Sequence, residues 1–127
     1  MVDKEIWICD SGASAHYCMT TEGMFNLQDI DEKITVGNGE KMLATKVGSL
    51  RRRVIHIDGT TLDIVISEVK YLPDLCANLF SMNKALKNGF KLSNDGENIS
   101  LTKGSACITF DRIIKSLDGT VSGIKMV

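Results

Sequence analysis

Ile6-Trp7-Ile8-Cys9-Asp10-Ser11-Gly12-Ala13 is the stretch on which the reading of this chain turns. The apolar run from Ile6 to Cys9 makes a short buried strand, and the Asp-Ser-Gly step ends it in a turn. A carboxylate at the end of such a strand has two readings. The plain one is an ordinary turn, in which the aspartate side chain accepts a nearby backbone N–H. The chemical one is half of an acid–base pair. Two carboxylates close enough to share a proton cannot both ionise, so one acts as general base on a water while the other donates to a carbonyl oxygen. In that reading Asp10 supplies the carboxylate and Ser11 locks adjacent loops together. Gly12 permits close backbone approach, and Ala13 is small enough for a crowded turn. Asp58-Gly59 and Asp118-Gly119 lack the intervening hydroxyl residue, so the second carboxylate would come from another copy of the chain across a two-fold axis.

Outward from this stretch, short β-branched runs alternate with Gly, Asn and Asp turns, which predicts a mostly β domain. Lys33–Val36 and Glu40–Ala44 flank Gly37-Asn38-Gly39, a hairpin signal because Asn and Gly tolerate positive φ. Val54–Ile57 and Leu62–Ile66 flank Asp58-Gly59 in the same way. Thr20-Thr21-Glu22 followed by Met24, Phe25 and Leu27 predicts one short helical turn. A true helix is predicted near residues 81–88. Ser81 suits its N-cap, Met82, Ala85 and Leu86 share a face, Lys84 and Lys87 sit late, and Asn88-Gly89 stops it. Further strands are expected at 90–92, 99–101 and 106–110. Arg51-Arg52-Arg53 reads as a solvated strand edge, where charge blocks strand-to-strand aggregation.

The 127 residues suit one domain spanning 1–127, with little surface for a deep cleft of its own. With 15 Lys plus Arg against 16 Asp plus Glu, no basic excess marks a nucleic-acid binder. No apolar stretch is long enough to cross a bilayer, and the start of the chain lacks a signal-peptide core, so a cytoplasmic protein without membrane partners is expected. The four cysteines form no C-x-x-C pair. Cys9, His16 and Cys18 lie close in sequence, but reduced thiols packing as small hydrophobes are the expected state, with no metal.

Trp7-Ile8-Cys9-Asp10-Ser11-Gly12-Ala13-Ser14-Ala15-His16 resembles the protease segment of copia-type LTR retrotransposon polyproteins. Val36-Gly37-Asn38-Gly39, Val47-Gly48-Ser49-Leu50, Val69-Lys70-Tyr71-Leu72-Pro73-Asp74-Leu75 and Asn78-Leu79-Phe80-Ser81-Met82 resemble later pieces of that segment, in order. The resemblance implies a retropepsin-like acid-protease fold, mostly β with one helix, and a homodimer. It implies an aspartic endopeptidase that processes its own polyprotein, with paired Asp10 carboxylates activating a water and no cofactor. By the same resemblance Asp10, Ser11 and Gly12 are catalytic. Ala13, Val36, Gly37, Asn38, Gly39, Leu79 and Phe80 bind substrate, with the 33–43 hairpin as a flap. Location would be cytoplasmic or within virus-like particles. Ser81 stands where retroviral relatives carry glycine, and residues 111–127 read as an extension toward the next polyprotein segment. Those departures keep an alternative in view, a catalytically inactive retropepsin-like dimerisation or peptide-binding module.

Overall fold

The computed structural model describes residues 3–37, 39–116 and 119–127. Strand β1 (Ile6–Asp10) runs parallel to β6 (Asn78–Ser81), with Trp7 opposite Asn78 and Asp10 opposite Ser81. On its other side β1 pairs antiparallel with β11 (Gly119–Met126). β6 pairs with β2 (His16–Cys18), which runs parallel to β5 (Thr61–Tyr71). β5 pairs antiparallel with the long β4 (Lys41–Ile55). The far end of β4 then meets β11, where Val54 faces Met126 and Ile55 faces Lys125. The ring β11–β1–β6–β2–β5–β4 therefore closes on itself as a barrel, and closure leaves its strands no open edge there.

Alternation along the ring strands explains the core. Trp7, Leu50, Val54, Ile66, Val69, Ile124 and Met126 are all buried inside the barrel. Between them lie half-exposed or polar positions, as the two-residue period of a strand requires. β10 (Arg112–Ser116) hangs from β11, and β3 (Met24–Thr35) hangs from β4. A separate sheet of β7 (Lys91–Asn94), β8 (Ile99–Lys103) and β9 (Ala106–Phe110) seals one end, delivering Leu101, Ile108 and Phe110 to the same core. β11 belongs to the stretch read from sequence as an extension, yet it forms part of the barrel wall.

The helix α1 (Met82–Lys87) is capped as the sequence predicts. Ser81 Oγ accepts the Lys84 N–H, and Gly89 leaves the helix at φ +96°. The helical turn expected after Thr20 is corrected. Met24 begins β3 instead, because Met24 and Phe25 find partners in Leu50 and Ser49 of β4. Gly23 and Asn26, both at positive φ, bend the chain into that strand. The arginine run is also not at an edge. Arg51, Arg52 and Arg53 lie within β4, paired to Val65, Ile64 and Asp63, and the Arg53 backbone bonds to that of Val127 at 2.7 and 2.9 Å. Their heads reach solvent from inside the sheet, Arg51 over the Phe25 ring and Arg53 against Asp63. Among the described residues no helix is long and apolar enough to cross a membrane.

Candidate binding cleft

Asp10 occupies the last position of β1, beside the end of β6. The Gly12 N–H donates to Asp10 Oδ1 at 2.8 Å, so the carboxylate closes its own turn. Two side chains from the β6–α1 corner fasten the loop. Asn83 Nδ2 donates to the Ser11 carbonyl at 2.8 Å, and Ser81 Oγ donates to the Ala13 carbonyl at 2.7 Å. Ser81 is fully buried and also accepts the Lys84 N–H at 3.1 Å, so one hydroxyl joins the loop to the helix cap. The serine found in place of glycine therefore has a task that glycine cannot perform.

The β3–β4 hairpin lies over this loop. Val36 N–H bonds to the Glu40 carbonyl at 2.9 Å, closing the turn between β3 and β4. Beneath it lies a cleft of about 190 Å³, walled by Asp10, Gly12, Ala13, Ser14, Tyr17, Thr35, Val36, Gly37 and Leu79. A second apolar cluster, with Ala13, Ala15, Tyr17, Ile34, Ala44 and Leu72 at its centre, supports the cleft floor.

Of the residues expected to bind or act, Asp10, Gly12, Ala13, Val36, Gly37 and Leu79 come together here. Ser11 is exposed and takes part through its backbone carbonyl. Gly39 is exposed at the hairpin turn, at φ +83°, off the cleft wall. Asn38 lies outside the described residues. Phe80 faces the opposite side of β6 from Leu79. It is buried in the barrel, with its ring 4.5 Å from that of His16 and 5.5 Å from that of Phe110. A strand sends adjacent side chains to opposite faces, so Leu79 and Phe80 could not both line one cleft. Ser14, Tyr17 and Thr35 were missed. Their only sequence signal was alternation, which puts Tyr17 opposite His16 once β2 is known to be a strand.

Cys9 and Cys18 are poor nucleophiles. Burial, helped by the neighbouring Asp10 charge, pushes the Cys9 thiol up to about 11, and burial pushes Cys18 up to about 11. Both stay protonated near neutral pH. His16 turns its Nδ1 to the Ser81 N–H at 2.9 Å, and Cys18 Sγ donates to the Thr20 carbonyl. Among the described residues no group of three His, Cys, Asp or Glu side chains is placed to hold a metal ion.

Replacing Ser81 with alanine is expected to cost about 1–3 kcal/mol, because it orphans the Ala13 carbonyl and the Lys84 N–H together. A urea titration should show a lower midpoint at an unchanged slope. A midpoint equal to that of the parent would mean that the hydroxyl does not fasten the loop.

These elements define a small closed β-barrel with an aspartate-bearing turn beneath a hairpin. Residues 7–90 match the family described as Pol polyprotein, beta-barrel domain, and the chain belongs to that family. No curated protein and no solved structure gives a match. The family corrects the resemblance drawn from the motifs. The chain is a β-barrel domain of a retrotransposon Pol polyprotein and is not assigned to the copia-type protease segment. The function inferred from that resemblance, a homodimeric aspartic endopeptidase processing the polyprotein, falls with it. The physical reason is that short motifs carry little information, even the ten-residue run from Trp7 to His16 with its four later matches. Asp-Ser-Gly is what a self-closing turn also uses, and the Gly12 N–H bond to Asp10 is such a turn.

Proposed function

We propose that the domain is a polypeptide-holding module of the Pol polyprotein, gripping an extended segment in the cleft between the Asp10 loop and the Val36–Gly37 hairpin. The observation that carries this reading is the cleft itself. One carboxylate, two hydroxyls near each other and an apolar wall share about 190 Å³ beneath a turn of the chain. Ser14 Oγ and Tyr17 Oη lie 3.5 Å apart, offering donors and acceptors beside Asp10. An extended peptide presents N–H and C=O groups on its backbone and alternating side chains, which suits a wall part polar and part Leu79, Val36 and Ala13. In a polyprotein such a segment is supplied by the chain's own neighbours. Pairing of two copies belongs to the same reading, since Ser11, Gly12 and Ser14 are exposed at the loop tip, where a second copy could meet it.

Fluorescence anisotropy with a labelled library of extended peptides, alongside sedimentation to count copies per complex, tests this. Saturable binding is expected, weakened roughly tenfold or more by Asp10→Asn, since a hydrogen bond to a charged group contributes about 1.5–3 kcal/mol. Absence of saturable binding by any peptide would end the reading. Cutting of the peptides, lost in Asp10→Asn, would replace holding by hydrolysis.

A further inference from the structure

The cleft beneath the β3–β4 hairpin holds one unbalanced charge. Of the described residues that wall it, Asp10 alone is ionised near neutral pH, and no lysine, arginine or histidine lies among them. Among the described residues the ion pairs join Lys46 to Asp29, Arg53 to Asp63, Lys70 to Glu32, Lys84 to Glu68 and Lys125 to Glu5, so none of them reaches Asp10. Asp10 Oδ1 accepts the Gly12 N–H at 2.8 Å, and among the described residues no hydrogen bond reaches Oδ2. A half-buried carboxylate beside apolar side chains has lost part of its hydration, and a cation brought next to it offsets that loss.

The shape of the cleft narrows the choice of cation. It holds about 190 Å³, more than the roughly 150 Å³ that takes a benzene ring, and a lysine side chain has fewer heavy atoms than benzene. A methylene stem suits Leu79, Val36 and Ala13, while the ammonium at its tip suits Asp10. An ammonium carries only donors, and Ser14 Oγ and Tyr17 Oη, 3.5 Å apart in the same wall, can accept from it beside Asp10. A guanidinium binds best as a fork on both oxygens of a carboxylate, and Oδ1 already serves the Gly12 N–H. The compact ammonium needs no fork.

We propose that the cleft reads a lysine: an extended segment lies between the Asp10 loop and the hairpin, with one lysine stem laid over Leu79 and its ammonium against Asp10 Oδ2. The inference rests on the polypeptide-holding reading and adds the chemistry by which a segment is selected.

The test uses the whole chain and dye-labelled peptides with blocked ends, so that the central side chain is the only ionisable group of the peptide. Threonine and valine alternate about that central residue, which is lysine, norleucine, arginine or glutamate. Norleucine keeps the stem and lacks the ammonium. Fluorescence anisotropy should rank lysine roughly tenfold or more above norleucine, and above arginine, with no saturation by glutamate. In Asp10→Asn the lysine and norleucine peptides should bind alike. On the parent chain labelled with nitrogen-15, the Gly12 amide signal should shift saturably with the lysine peptide, because that N–H donates to Asp10. Equal affinity for lysine and norleucine, arginine tighter than lysine, an unmoved Gly12 signal, or a lysine preference that survives in Asp10→Asn would overturn the inference. Any of these, with peptides still bound, would leave the holding reading in place, whereas no binding by these peptides or by the wider library ends both. Should Asp10→Asn fail to fold, the norleucine comparison and the Gly12 signal on the parent chain decide.

Discussion

Ile124→Ala should destabilise the domain by about 2–5 kcal/mol, the usual range for a large-to-small change at a sealed core position. Ile124 is fully buried, lies opposite Trp7 across the β1–β11 pairing, and sits in the strand that closes the barrel. Its loss removes apolar contact from a core cluster shared with Trp7, Ile108 and Phe110. Ile113, on the neighbouring β10, is 59% exposed. Ile113→Ala should therefore change stability by less than about 0.5 kcal/mol. Urea titrations of the two variants provide the check. Similar small losses in both would mean that β11 is not part of the wall and that the barrel does not close.

Acid should weaken the domain through one residue, His16. Its folded value is lowered from 6.5 to about 4, mainly by burial, then by the nearby Lys84 charge, with Glu68 opposing. Protonation would also set an N–H on Nδ1 against the Ser81 N–H that it now accepts. The folded chain thus refuses a proton that the unfolded chain takes up below pH 6.5. Stability is full above that value, declines as pH falls, and levels off once the folded value is passed. The span between pH 7 and 4 corresponds to about 3 kcal/mol from this group. Denaturation free energies for the parent and His16→Gln across this range isolate the contribution. The parent should lose stability more steeply than the variant, and parallel profiles would show that His16 is not the acid-sensitive group.

Local chemistry was readable in the chain and long-range closure was not. Ser81, Asn88 and Gly89 announce both ends of α1, and the Asp58-Gly59 step announces the β4–β5 turn, because a cap or a tight turn is decided within a few residues. The pairing of Val54 with Met126 depends on residues far apart in sequence, and no local pattern encodes it. Met24 and Phe25 were read as helical for the same reason, since their strand exists only by virtue of Leu50 and Ser49. The cleft was partly legible. Asp10, Gly12 and Ala13 come from one contiguous loop, and Val36 and Gly37 from one hairpin, so motif reading found them. Tyr17 and Ser14 needed the register of β2, and Phe80 was misassigned because a dipeptide does not say which of its members faces which side. Identity fared worst, since a short aspartate turn occurs in domains of more than one kind.

The pairing of β1 with β11 also sets how the domain responds to tension. Ile6 lies opposite Lys125, and the Met126 N–H bonds to the Glu5 carbonyl, so the outer ends of both strands leave the barrel side by side. A pull transmitted along a polyprotein through these two points separates neighbouring antiparallel strands from one end. Their hydrogen bonds lie across the strands and would be loaded one after another, as in a zipper, instead of all together in shear. The seam that completes the barrel would thus be loaded bond by bond under such a pull, with the β4 pairing of Val127 to Arg53 holding the end of β11 on its other side.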